Sequence, residues 1–411
     1  MLLHWWYGTP SGTTTAVRVA RRATGGTLDR RRRRPRLPLC ALPGTGAYEA
    51  TLPAALGASE IDLPGELAAD VADAETALAA FDAHAAVRLG ADNPALGPMS
   101  AVLLRTESAS SSQIEDLTVG ARQLALAELE ESRSHNARAV VANVRTMEAA
   151  LRLAAELDLE AILAMHAELL AGAEDAGRLR GQLVWVGRSG LSPLGAVHIA
   201  PEAEDVLPAM EDLLAFLVRD DLPVLVHAAL AHAQFETIHP FTDGNGRTGR
   251  ALVHALLSGK GLLTTTAPVS AGLLTDLEAY TAALTAFRAG DARPIVEEFA
   301  RAARYAAATG SRLVDDLAGQ LERDRERLSG VRRHALAWSV LPLLIGQPIV
   351  NAAYLQRTLE VPAMTAQRAL AQLTDSGILR EATGRSRNRV WQHTGILGLL
   401  DSYAAEVRRA C

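Results

Sequence analysis

Residues 239–250 read His-Pro-Phe-Thr-Asp-Gly-Asn-Gly-Arg-Thr-Gly-Arg, so an imidazole, a carboxylate, a glycine-rich turn and two guanidinium groups stand within twelve positions. Pro240 lacks an N–H and disfavours helical geometry in the residue before it, so the helical run through Leu225, Leu230, Ala233 and Phe235 must stop at His239. Gly244 and Gly246 permit a tight turn and let the main chain approach a ligand. The next helix is expected near Asn245, where free N–H groups and the helix dipole form an anion site. Arg247 and Arg250 are three apart and share a face of that helix. Asp243 stands where it can hold Mg²⁺ against phosphates. The pattern predicts a phosphate cradled by backbone amides, its charge offset by arginine and metal, with His239 as base. A lone histidine is more often structural, and His166, His227 and His232 are read that way. A lone Gly-x-Gly is weak evidence too. The weight comes from nine specified positions coinciding.

Helices must position these groups. Leu67, Val71, Ala74 and Leu78 recur at three- and four-residue steps, and helical periodicity continues through 101–130, 138–156 and 158–171. Residues 182–201 differ. Leu183-Val184-Trp185-Val186 and Val197-His198-Ile199 are β-rich, and Gly187, Gly190, Pro193 and Gly195 lie between them, which reads as a hairpin. Helices resume at 203–218, 223–237, 246–260, 271–288 and 293–308. A charged helical connector, 312–327, leads to a second unit. It holds a helix over 331–341 up to Pro342, a helix over 352–359, a turn Glu360-Val361-Pro362, and a helix from Thr365, as its cap, to Thr374. Gly377-Ile378-Leu379, a basic turn over 384–389 and Val390-Trp391 follow. Helix, turn, helix and hairpin is the layout of a winged helix-turn-helix. The expected fold class is mainly α, a helical domain with one inserted β-hairpin followed by a C-terminal winged helix.

A chain of 411 residues with 49% apolar content has room for two or three domains with real cores. Lys260 is the single lysine beside forty arginines, which take over lysine's surface role. Cys40 and Cys411 argue against a disulfide framework or a cysteine metal site and fit a reducing cytosol. No apolar run reaches the roughly 18 residues of a membrane span, so a cytoplasmic protein without membrane contact is expected. Charge is uneven: +8 over 1–40, +5 over 331–411 and -19 between, for a total of -6. Residues 1–40 hold a basic run at 30–34 beside Pro35 and Pro38, with no sustained period and no apolar signal region. They read as a disordered tail or misplaced start, with a basic nucleic-acid-binding arm as the alternative.

The run at 239–250 resembles the Fic-domain signature, His-Pro-Phe-x-(Asp/Glu)-Gly-Asn-Gly-Arg-x-x-Arg, with every position filled. Gln234-Phe235-Glu236-Thr237-Ile238 resembles the family's lead-in. Tyr280 to Leu284 and Gly290-Asp291 with Pro294 resemble its downstream helices, so the likeness covers roughly residues 45–310. It implies a protein adenylyltransferase that moves AMP from ATP to a Ser, Thr or Tyr hydroxyl of a target protein, and of itself. His239 would take the hydroxyl's proton as it attacks the α-phosphorus and pyrophosphate leaves. Asp243 would position Mg²⁺ on the α- and β-phosphates. Gly244, Asn245 and Gly246 would form the anion hole, Arg247 would grip the phosphates and Arg250 would hold the γ-phosphate. Phe241 would fix the loop from the core, and Pro240, Thr242 and Tyr280 complete the expected ATP-binding set. A phosphorylating branch carries lysine at the place of Gly246, so adenylylation fits better. The hairpin, with Val184, Trp185, Val197, His198 and Ile199, resembles the family's flap, whose edge strand can pair with an extended target segment.

Ser111-Ser112-Gln113-Ile114-Glu115-Asp116 resembles a second family motif, (Ser/Thr)-x-x-x-Glu-(Gly/Asn). It implies an inhibitory helix, with Ser111 and Glu115 in the motif and Glu115 pairing with Arg250 where the γ-phosphate would bind. Asp116 departs from the expected Gly or Asn, which weakens the helix-end chemistry expected there. In some relatives the same glutamate supports removal of AMP, so a two-way enzyme is a second reading. In the C-terminal unit, Thr365, Gln367, Arg368 and Gln372 would face outward, with Arg380, Arg385, Arg387 and Arg389 at the wing. DNA in the major groove is one partner, and protein contacts or a homodimer are the other. A DNA-binding regulator whose Fic part senses nucleotide is the third reading. The expected divisions are 1–40 (tail), 41–130 (helical region with the inhibitory motif), 131–310 (core domain), 311–330 (connector) and 331–411 (winged helix).

Overall fold

Apolar residues at helical spacing make helices of most of the chain, in a computed structural model that describes residues 19–20, 32–33, 48–89, 96–187, 193–382 and 389–410. The tail expected at 1–40 lies almost wholly outside the described residues, as do Gly190 of the hairpin and Arg385 and Arg387 of the wing. Four two-residue strands come first: β1 (Val19–Ala20), β2 (Arg32–Arg33), β3 (Tyr48–Glu49) and β4 (Glu60–Ile61). β1 pairs antiparallel with β4 and β2 with β3. The helices α1 (Gly65–Leu89), α2 (Leu96–Gln113), α3 (Ala121–Glu128), α4 (His135–Arg152) and α5 (Leu159–Leu169) follow. The expected hairpin is β5 (Trp185–Val186) against β6 (His198–Ile199), with Trp185 opposite Ile199 and Val186 opposite His198. Then come α6 (Ala203–Leu217), α7 (Val224–Ile238), α8 (Asn245–Gly259), α9 (Val269–Leu274), α10 (Leu277–Arg288) and α11 (Arg293–Arg327). The C-terminal part holds α12 (Leu336–Gly346), β7 (Ile349–Val350), α13 (Ala352–Leu359), α14 (Ala363–Asp375), β8 (Arg380–Glu381), β9 (Trp391–Gln392) and α15 (Thr394–Ala410). Its three strands form one antiparallel sheet in the order β7-β9-β8.

α7 lies at the centre, and every residue of 225–238 is buried. α11 runs past it for 35 residues. Its buried stripe, through Ile295, Phe299, Ala303, Ala306, Leu313, Leu317 and Leu321, repeats every three or four residues along the whole length. That continuity corrects the expected break between a helix at 293–308 and a separate connector at 312–327. The charged residues there sit on the outer face, apart from the buried Asp324. Two other expected helices are each divided. The stretch 101–130 is interrupted at 114–120, where the chain turns through the left-handed Asp116 (φ 62°). The stretch 271–288 is interrupted at Asp276, whose carboxylate accepts the Ala279 N–H and caps α10.

The C-terminal part also departs from expectation. α12 begins at Leu336 and passes through Pro342 instead of ending there. A proline inside a helix costs about 3 kcal/mol. Here Val340, Leu341, Leu344 and Ile345 are all buried on either side of it, and their packing outweighs the loss. β7 and α15 are additional elements. No described helix is long and apolar enough to cross a membrane.

Candidate active site

His239 ends α7 in a left-handed conformation (φ 50°), its N–H still bonded to Phe235 O at 2.8 Å. That turn out of the helix leaves the imidazole mostly buried, its side chain 18% exposed. Arg180, 4% exposed, fixes the turn from behind. Its Nε donates to His239 O at 2.7 Å, Nη1 to Gln182 O at 2.7 Å, and Nη2 to Pro201 O at 2.7 Å and Ile238 O at 3.3 Å. One guanidinium thus ties the hairpin's two flanks to the end of α7.

Phe241 and Asn245 close the loop. The Asn245 amide accepts from Phe241 N and donates to Phe241 O, both at 2.9 Å. Phe241 is fully buried and stacks on His166, centroids 3.7 Å apart and rings parallel within 1°. His166 is structural, as expected: Nδ1 accepts from Gly177 N, so Nε2 carries the proton and donates to Asp243 O. Thr242 donates its hydroxyl to Asp175. Gly244 has φ 75°, and a Cβ there would lie 2.6 Å from Leu169 Cδ2, so a side chain would be strained and would have to displace Leu169.

The mouth of α8 is occupied by a carboxylate from the same chain. Glu115 Oε1 lies 2.8 Å from Arg250 Nη2, and Glu115 Oε2 lies 2.7 Å from Arg247 Nε. A Cβ on Gly246 would come within 2.6 Å of Glu115 Oε1. Arg250 also donates through Nε to Ser111 Oγ and through Nη2 to Ser111 O, each at 2.8 Å. The structure therefore brings Ser111, Glu115, Gly246, Arg247 and Arg250 into one contact. Burial opposes the charge on Arg250, but Glu115, with Tyr280 and Glu236 beside it, outweighs burial, so the guanidinium is held above its ordinary value. Asp243 stands apart, its side chain 70% exposed. Its Oδ1 accepts Gly244 N–H at 2.7 Å and lies 3.6 Å from Arg247 Nη2.

Tyr280 is buried, with its hydroxyl 2.6 Å from His232 Nε2. In the hairpin, Val197 N donates to Val186 O and Ala200 N to Val184 O, which extends the ladder beyond the two strands. Ile199 O accepts Thr51 N–H at 2.9 Å, so the outer side of β6 is engaged there. His198 donates Nε2–H to Thr237 O at 3.0 Å. Of the arginines expected at the wing, Arg380 opens β8 and Arg389 pairs with Glu381 and lies over Trp391.

Three residues of this corner were not singled out from the sequence: Arg180, Glu236 and Arg288. Glu236 is buried, with Oε2 3.8 Å from His239 Nδ1 and Oε1 without a hydrogen-bond partner. Burial raises its carboxyl to about 7, against the pull of Arg250 and Arg288. Burial, helped by Arg288, lowers the His239 imidazole to about 4. No local sequence signal gives the shared desolvation of Glu236 and His239, which comes from burial with Arg288 of α10 at the end of α7.

Residues 156–257 match the Fic/DOC family. That is narrower than the 45–310 suggested by the motifs, and it leaves α2 with Glu115 outside. Over 148 residues the chain is 32% identical to protein adenylyltransferase fic-1 of Caenorhabditis elegans, covering 36% of this chain and 27% of that protein. Over 151 residues it is 32% identical to protein adenylyltransferase Fic of Nematostella vectensis, covering 35% and 32%. The chain thus spans about a third or less of the curated relatives it matches. The solved structure of a Fic family protein from Desulfovibrio desulfuricans G20 superposes with a TM-score of 0.51 at 24% identity, over 81% of this chain and 97% of that one, a likeness of fold. With the filled signature on the turn between α7 and α8, this chain carries a Fic domain.

Proposed function

We propose that the protein transfers AMP from ATP to a hydroxyl of a target protein, and of itself, and that Glu115 restrains it. The observation that carries this reading is the Glu115 carboxylate at the N-terminus of α8, paired with Arg247 and Arg250. The site is built for an anion, and an anion of the chain itself sits in it. Neutral His239 accepts the proton of the incoming hydroxyl. The hydroxyl oxygen forms its bond to the α-phosphorus, the bond to the bridging oxygen breaks, and pyrophosphate leaves. Arg247 and Arg250 neutralise the phosphates once Glu115 withdraws.

The residues fit Mg²⁺ brought in with the nucleotide. No described group of three or more His, Cys, Asp or Glu could hold a metal alone. Asp243 offers one exposed carboxylate beside the turn. That matches an ion held by one carboxylate and substrate phosphates, which would offset phosphate charge.

Glu115→Gly should raise labelling of the protein by radioactive ATP by roughly tenfold to a hundredfold, the range of a coupling of about 1–3 kcal/mol. Equal labelling of both forms would end the restraint reading. His239→Ala in the Glu115→Gly background should lose at least a hundredfold, the usual worth of a general base. An added AMP, and not an added phosphate, should appear in the mass of the product.

The unit at 331–411 we read as a winged helix, supported by α13 and α14 followed by β8 and β9 in the three-stranded sheet. On α14, Gln367 and Arg368 are exposed beside Met364, which is 74% exposed. With Arg389 engaged by Glu381, this surface favours a protein partner over the DNA backbone. Salt-sensitive binding to duplex DNA would reverse that preference.

A further inference from the structure

Polar contacts between α2 and α8 form a ladder. Glu115 reaches Arg247 and Arg250, Ser111 reaches Arg250, and Glu107 Oε1 lies 2.9 Å from His254 Nε2. Along α2 the rungs rise through Glu107, Ser111 and Glu115, while along α8 they fall through His254, Arg250 and Arg247. The two helices therefore run antiparallel, with one polar stripe facing the other. The Glu107 rung is the deepest, its side chain 0% exposed against 14% for Glu115. Glu107 Oε2 also accepts Ser270 N–H from α9 at 2.9 Å, and Oε1 accepts the Ser270 hydroxyl. No step of the proposed transfer uses this pair, which lies about 12 Å along α2 from Glu115.

A buried carboxylate–imidazole pair is weak evidence of stability, because packed apolar side chains of similar volume often hold a core as well or better. What a polar contact adds is direction. The first half of α2 is held by Met99, Val102 and Leu103 in the apolar core, and apolar burial is non-directional. Beyond Glu107 the helix runs through Ser108, Ser110, Ser111 and Ser112. There α4 holds it by Asn143 Nδ2, which donates to Ser108 O at 3.0 Å and to Ser112 Oγ at 3.2 Å. A slip of one residue would turn the stripe by about 100° and carry Glu115 off Arg250. The Glu107 rung opposes that slip, because its carboxylate is fixed on two elements at once, α8 and α9.

We propose that Glu107 and His254 are positioning residues that set the register of α2 on α8 and so keep Glu115 on Arg250. The effect on labelling rests on the adenylyltransferase reading; the register does not. The test uses the full chain with Glu107→Leu and His254→Leu combined, which replaces the pair by apolar bulk. Hydrogen exchange read by mass spectrometry should become about tenfold faster over 108–117 and stay unchanged over 99–106. Self-labelling should rise several-fold, and in the Glu115→Gly background the double substitution should change nothing. Glu107→Gln, which keeps an oxygen for Ser270 and a polar partner for His254, should stay near the wild type in both readouts. His254→Leu alone leaves Glu107 its bonds to Ser270. It is the milder variant should the double one not fold, and it should move both readouts the same way. Exchange unchanged over 108–117, or faster equally along all of α2, would overturn the register role. Labelling that does not rise, or a rise that persists in Glu115→Gly, would overturn the link to Glu115. If Glu115→Gly yields no labelled product, the link falls with the activity reading, and the exchange arm alone decides the register.

Discussion

His239 and Glu236 share a desolvated corner, and burial drives both toward their neutral forms. Their effects on stability run in opposite directions with pH. Below about 6.5 an unfolded histidine takes up a proton that folded His239 refuses until about 4, so acidification through that window costs stability. Above about 4.5 an unfolded glutamate gives up a proton that folded Glu236 keeps until about 7, so stability falls as pH rises through that window. Glu236→Gln keeps the shape and removes the second cost. The variant should match the wild type in urea at pH 5 and exceed it by roughly 1–3 kcal/mol at pH 8. An unchanged difference between the two pH values would mean that Glu236 is solvated. The signature itself was legible because residue type and spacing alone specify it. Glu236 and Arg180 were not legible, since a glutamate or arginine acquires such a role only through neighbours far along the chain.

Elements tell a related story at the end of α2. Asp116 N bonds to Gln113 O at 2.9 Å and Leu117 N to Ser112 O at 3.0 Å, with Asp116 left-handed between them. This is a Schellman close, which places Glu115 at the helix cap. The position needs φ > 0, which explains a preference for Gly or Asn, and aspartate is among the few other residues that tolerate it. Asp116 was expected to weaken the helix end; the backbone shows it adopting the required turn. The same close recurs at Glu130 after α3, so both ends of 116–130 turn on left-handed acidic residues. Asp116→Ala should destabilise the turn by about 1 kcal/mol and raise self-labelling up to about fivefold. Asp116→Gly should leave labelling equal or lower. Alike behaviour of the two variants would remove the left-handed argument. Single helices with clear stripes, such as α1 with Leu67, Val71, Ala74 and Leu78, were read from periodicity. The breaks at Asp116 and Asp276 were not, because apolar spacing continues across them while the backbone leaves the helix.

At the scale of the molecule, the divisions read from composition dissolve into one core. A single apolar cluster joins Leu56, Phe81, Phe235 and Phe299 to Val340, Leu373, Trp391 and Val407. α11 carries it from the Fic domain to the C-terminal part, and a buried polar contact locks the junction. Asp324 on α11 accepts from His393 Nε2 at 2.7 Å and from Gln320 Nε2, while His393 Nδ1 accepts Ile396 N–H at the start of α15. Charge had set 331–411 apart as a basic unit, but charge reports the surface, whereas cooperativity follows the buried contacts. The two parts should therefore unfold together. Trp185 in the hairpin and Trp391 in the C-terminal sheet lie on opposite sides of that junction. Single-tryptophan variants reporting from each should give coincident urea transitions, whereas two separated midpoints would mean independent domains. His393→Ala, which strips Asp324 of its shortest contact, should lower the shared midpoint by the equivalent of about 3 kcal/mol and move both reporters equally, because a unit bound through its core cannot lose its lock on one side alone.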